Sequence, residues 1–141
     1  PVGTWLNVTN GTVCVTCPAY TDSLMSSDDI TDCVCNLGFT GPDGTACTPC
    51  EEGFFKDVNG SDACQACPVG TWLNVTNGTV CVTCPAYTDS LMSSDDITDC
   101  VCNLGFTGPD GTACTPCEEG FFKDVNGSDA CQACPVGTWL N

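Results

Sequence analysis

The sequence predicts a small disulfide-rich fold: a tandem repeat of short loop and β-hairpin modules with little regular secondary structure. Three observations point there. Cysteine supplies 16 of the 141 residues, about 11%, above the level at which a short chain reads as a disulfide scaffold. Residues 1–67 recur without a change as residues 68–134, and residues 135–141, PVGTWLN, open a third copy. Gly, Pro, Asn, Asp, Ser and Thr interrupt the chain every few residues, so no 3.6-residue apolar period persists.

The repeat sets the domain organisation: copy 1 at 1–67, an identical copy 2 at 68–134, and the start of copy 3 at 135–141. The chain is expected to begin and end within a longer array. Each copy carries a finer period, in which a cysteine is followed three to five residues later by an aromatic. The segments are CPAY from Cys17, CNLGF from Cys35, CEEGFF from Cys50 and CPVGTW from Cys67, starting 18, 15, 17 and 17 residues apart. They read as four loop modules, each laying one aromatic (Tyr20, Phe39, Phe54 or Phe55, Trp72) against its own disulfide. Pieces such as TVCVTC suit strands. Pro42, Asp43 and Gly44 stand in the order of a tight turn. Only SLMSSDDITD suits a helical turn, with Ser26 or Ser27 as its cap.

Leucine, isoleucine and methionine are scarce, so covalent staples must replace a large core. Cys14/Cys17, Cys47/Cys50 and Cys64/Cys67 have C-x-x-C spacing, which zinc also uses. The absence of histidine, the near absence of basic residues and the secretory sequons favour disulfides, and eight cysteines per repeat suit four bridges. Eight thiols allow 105 pairings. If each loop closes on itself, the bridges are Cys17 to Cys33, Cys35 to Cys47, Cys50 to Cys64 and Cys67 to Cys81, repeated as Cys84 to Cys100, Cys102 to Cys114 and Cys117 to Cys131. Cys14 would then bond the preceding repeat and Cys134 the following one. A crossed set, Cys14 to Cys33, Cys17 to Cys35, Cys47 to Cys64 and Cys50 to Cys67, satisfies every thiol locally and stands as the rival. The sequential set is preferred.

Eighteen acidic residues face only Lys56 and Lys123, giving a net charge of -16. Such a surface repels nucleic acid and anionic membranes. No apolar stretch reaches the 18 residues of a membrane span, so no membrane insertion is expected in this segment. Asn7, Asn10 and Asn59 open N-x-[ST] sequons, with copies at Asn74, Asn77 and Asn126; N-linked glycans are expected there. Asp28, Asp29 and Asp32, and their copies Asp95, Asp96 and Asp99, offer oxygen ligands for calcium but do not follow a DxDxDG loop, so an exposed acidic loop is the preferred reading. No other cofactor is expected. With no histidine, no nucleophile and base pair and no phosphate loop, no catalytic residue is assigned and the chain is not expected to be an enzyme.

The order C-P-x-G-T-aromatic, C-x-x-C-P, C-x-C-x-x-G-aromatic resembles the ephrin-receptor-like cysteine-rich repeat, related in style to tumour-necrosis-factor-receptor and epidermal-growth-factor modules. The matching text is CPVGTW from Cys67, CVTCPAY from Cys81 and CVCNLGFTGPDGTAC from Cys100. The resemblance implies an elongated, single-file fold of stacked cysteine loops that touch little beyond their neighbours. Together these features lead to the expectation of a structural subunit of an extracellular or cell-surface glycosylated fibre, whose partners are neighbouring copies of the same repeat. The alternative is an adhesive or ligand-binding ectodomain of a cell-surface receptor.

Overall fold

A computed structural model describes every residue except 9 and 10. Among the described residues there is no α-helix. The chain is a series of small two-stranded antiparallel hairpins. In the first copy these are β1 (Thr4–Trp5) with β2 (Val15–Thr16), β3 (Thr21–Asp22) with β4 (Val34–Cys35), β5 (Phe39–Thr40) with β6 (Thr48–Pro49), and β7 (Phe54–Phe55) with β8 (Gln65–Ala66). In the second they are β9 (Thr71–Trp72) with β10 (Val82–Thr83), β11 (Thr88–Asp89) with β12 (Val101–Cys102), β13 (Phe106–Thr107) with β14 (Thr115–Pro116), and β15 (Phe121–Phe122) with β16 (Gln132–Ala133). Two-residue ladders of this kind are not stable by themselves.

Covalent closure supplies what the ladders lack. Seven disulfides join Cys17 to Cys33, Cys35 to Cys47, Cys50 to Cys64, Cys67 to Cys81, Cys84 to Cys100, Cys102 to Cys114 and Cys117 to Cys131. In every case one cysteine precedes the first strand of a hairpin and the other immediately precedes the second, so the bridge clips the hairpin beside its ladder. Loops of 12 to 16 residues each contribute about 3 kcal/mol by restricting the unfolded chain. Cys14 and Cys134 are free thiols.

The sulfur atoms are also the interior. Cys33, Cys35, Cys67, Cys100 and Cys102 are fully buried, and Leu73 is the one aliphatic side chain that joins them among the described residues. Leu24, by contrast, is 82% exposed. A second buried group is charged. Lys56 is only 1% exposed, and its ammonium donates to the carbonyls of Phe39, at 2.8 Å, and Gly60. Its backbone amide donates to Gly78 O (3.1 Å) and its carbonyl accepts from Gly38 N (2.9 Å). Burial lowers the Lys56 pKa, opposed by the charges of Asp62 and Asp43.

Each hairpin is entered through the same turn. The amide at the start of the first strand donates three residues back, as in Thr21 N to Pro18 O and Phe39 N to Asn36 O, and the residue before the strand is left-handed. Glycine holds that slot at Gly38 (φ 77) and Gly70 (φ 80), but in CPAY it is Tyr20 (φ 61), copied at Tyr87 (φ 62). A tyrosine there costs about 1–3 kcal/mol. Part of this is offset by the Tyr20 ring stacking on Phe39 at 4.5 Å, and Tyr87 stacks on Phe106 at 4.4 Å. These two aromatics therefore join consecutive modules to each other.

The turn at Pro42 to Thr45 is present, with Thr45 N donating to Pro42 O (3.3 Å) and Gly44 at φ 76. The helical turn in SLMSSDDITD is a 3-10 turn at Ile30–Asp32, and its cap is Asp29 instead of Ser26 or Ser27. Ser26 is left-handed (φ 71), and the Ser27 hydroxyl donates back to Leu24 O (2.8 Å). Asp29 is extended and aims its carboxylate forward, and Asp32 completes the capping box. The chain divides into two compact units, Pro1–Gln65 with Val75–Val80, and Ala66–Asn74 with Cys81–Asn141.

Candidate functional site

Among the described residues no group of three or more His, Cys, Asp and Glu side chains is placed to hold a metal ion. The acidic loop shows where its oxygens go. Asp29 accepts from the amide and hydroxyl of Thr31 (2.8 and 2.6 Å), and these bonds lower its pKa. Asp32 accepts from the amides of Asp28 and Asp29 (3.1 and 3.2 Å). The copies at Asp95, Asp96 and Asp99 repeat the pattern. Local capping accounts for the carboxylates of Asp29 and Asp32 and of their copies Asp96 and Asp99.

The sequon residues Asn7, Asn59, Asn74, Asn77 and Asn126 all lie at exposed positions, while Asn10 falls outside the described residues. Asn59 and Asn126 sit on turns whose next residue is pinned at both ends of its peptide unit. Gly60 N donates to Cys35 O (2.9 Å), and Gly60 O receives the buried Lys56 ammonium. Gly127 N donates to Cys102 O (2.9 Å), and Gly127 O receives the ammonium of Lys123, itself 6% exposed. Asn77 is held differently. Its φ is 56, and its amide donates to Cys50 O (2.9 Å).

Asn126 also lines an open groove of about 510 Å³ in the second unit. The apolar part of the groove is Val69, Leu91, Met92 and Val101, and Asp89 and Asp99 stand among its polar groups. Leu91 is 81% and Met92 65% exposed. Ser90 beneath them is buried, its hydroxyl donating to Thr71 O (2.9 Å). Leu91 and Met92 are thus displayed from a fixed loop.

Residues 38–80 and 105–140 match the family described as tyrosine-protein kinase ephrin type A/B receptor-like. The chain belongs to this family. The ephrin-receptor-like matches begin at the left-handed glycines Gly38 and Gly105 and run through the hairpins that follow. A 54-residue stretch is 35% identical to Ephrin type-B receptor 4 of Homo sapiens, covering 38% of this chain and 6% of that receptor. The chain therefore spans a small fraction of that relative's length.

Two features of these ephrin-receptor-like modules are not visible in the pattern of cysteines. Lys56 and Lys123 read as isolated cations, whereas they are interior donors that fix the sequon turns. The only sequence signal is that each is the sole cation of its repeat. The groove is assembled from residues 69, 89–101 and 126, a combination that no local spacing announces.

Proposed function

We propose that this chain is an extracellular, non-catalytic cysteine-rich segment of a receptor-like cell-surface ectodomain, N-glycosylated on its exposed sequons and presenting its modules for adhesion or ligand binding. The observation that carries this reading is the coincidence of the two family matches with a run of disulfide-clipped hairpins. Oxidised bridges persist in extracellular compartments and not in a reducing cytosol. No helix among the described residues is long and apolar enough to cross a membrane.

A second reading is favoured by one observation. Residues 1–67 and 68–134 are identical at every position, which suits a subunit of a fibre whose neighbours are copies of the same repeat better than a receptor module that must differ from its neighbours to select a ligand. Protease treatment of intact cells followed by non-reducing fractionation separates the two. The ectodomain reading expects the repeats to be shaved from the surface and otherwise to stay with the membrane fraction. Recovery as sedimentable filaments free of membrane overturns it in favour of the fibre, and protection in intact cells that is lost once the cells are permeabilised overturns both.

A further inference from the structure

We infer that Asn126 carries an N-linked glycan whose first sugars lie along the groove beside it and cover Leu91 and Met92. This rests on the extracellular reading above, which brings the Asn126-Gly127-Ser128 sequon to a glycosyltransferase. The attachment is a group transfer from an activated glycosyl diphosphate. A bond forms between Asn126 Nδ2 and the anomeric carbon, the carbon to diphosphate-oxygen bond breaks, the diphosphate leaves with the electron pair, and the amide proton passes to the transferase's base.

The groove fits such an occupant. Asn126 is itself one of its lining residues, so the sugar is tethered at the rim and its effective concentration over the groove is high. The tether is firm, because Gly127 is held by Cys102 O on one side and by the buried Lys123 ammonium on the other. A pyranose ring offers an apolar C–H face bordered by hydroxyls. Val69, Leu91 and Met92 match the face, and Asp89 and Asp99 accept hydroxyl donors from a neutral sugar that adds no charge of its own to the groove. Leu91 and Met92 are among the most exposed large apolar side chains of the second unit, and a sugar that lies on them removes that surface from water.

Trypsin makes the test clean despite the identical copies. Cleavage after Lys56 and Lys123 of the reduced chain places Met25 on peptide 1–56, Met92 on 57–123 and Asn126 on 124–141. The chain is secreted from a glycosylating eukaryotic host, exposed folded to hydrogen peroxide, then reduced, digested and weighed. Peptide 124–141 is expected to carry the glycan mass. Met92 is expected to form sulfoxide several-fold more slowly than in Asn126→Gln, with Met25 unchanged as an internal reference. Ser128→Ala removes the sequon without touching Asn126 and must behave as Asn126→Gln does. An occupied Asn126 with Met92 oxidising at the same rate in all three proteins overturns the seating but leaves the extracellular reading intact. Equal protection of Met92 in all three means that protein covers the groove, and also overturns it. A bare peptide 124–141 overturns the inference outright, and sugar-free peptides 1–56 and 57–123 as well would bring down the glycosylated reading with it.

Discussion

The stretch from Gly38 to Cys50 and its copy from Gly105 to Cys117 have the same sequence and different surroundings. Gly38 and Cys50 are buried, whereas Gly105 and Cys117 are half-buried. A Cβ on Gly38 would overlap the Asn77 carbonyl oxygen, and one on Gly105 would meet nothing within 4 Å. In the first unit the loop Val75–Val80 packs there, Asn77 N donating to Cys50 O (2.9 Å) and Lys56 N to Gly78 O (3.1 Å); the corresponding residues of the second copy would follow Asn141, the last residue of the sequence. A module of this kind folds by its own bridge and is finished by a loop from further along the chain, as nearest-neighbour stability in repeat proteins requires.

The largest expected effect removes that finish at its root. Replacing Cys50 and Cys64 together by Ala costs about 3 kcal/mol and exposes the Asn77 and Lys56 amides to hydrogen exchange. Replacing Cys117 and Cys131 costs a similar amount but leaves those two amides protected. Loss of Asn77 protection in both variants would break the comparison. Next comes the glycine pair. Gly105→Ala pays only for the left-handed backbone, about 1–2 kcal/mol, while Gly38→Ala adds the overlap with the Asn77 carbonyl, about 1 kcal/mol more. Equal denaturant midpoints for the two variants would show that the loop does not sit on Gly38.

Lys56→Met is expected to destabilise by about 1–3 kcal/mol, because it leaves the carbonyls of Phe39 and Gly60 without their shared donor. Lys123→Met should cost less, since that ammonium serves Gly127 O, and the gap is read from the same denaturant series. The smallest effect is electrostatic. Hydrogen bonds from Thr31 and Thr98 hold Asp29 and Asp96 below the ordinary carboxylate value of 3.8. Their contribution is therefore complete above that value and disappears as pH falls through the lower folded values. Melting temperature should decline as pH drops from about 5 to 2, and the decline should flatten in Asp29→Asn with Asp96→Asn.

Much of the fold was legible because its determinants are local. The segments CPAY, CNLGF, CEEGFF and CPVGTW are each a turn followed by a strand, and four such turns per repeat with few aliphatic residues leave sulfur as the interior. Pro42, Asp43 and Gly44 likewise name their own turn. The helical cap was misplaced because Ser26, Ser27 and Asp29 are all competent by type, and the choice depends on a left-handed φ at Ser26 that a non-glycine residue does not advertise. Tyr20 hides the same way, occupying a glycine's slot in order to stack on Phe39. The candidate site was half legible: sequons are written in three letters, but the buried lysines that hold two of them and the groove beside Asn126 come from loops brought together only by folding. The interior donors Lys56 and Lys123 are unreadable one residue at a time, since their acceptors are backbone carbonyls.

The whole account rests on every hairpin being closed by its own sulfur bridge, and non-reducing digestion with fragment sequencing addresses that directly. The expected links are Cys17 with Cys33, Cys35 with Cys47, Cys50 with Cys64 and Cys67 with Cys81, and likewise through the second copy. Recovery of Cys47 joined to Cys64, or of Cys81 joined to Cys100, would contradict it.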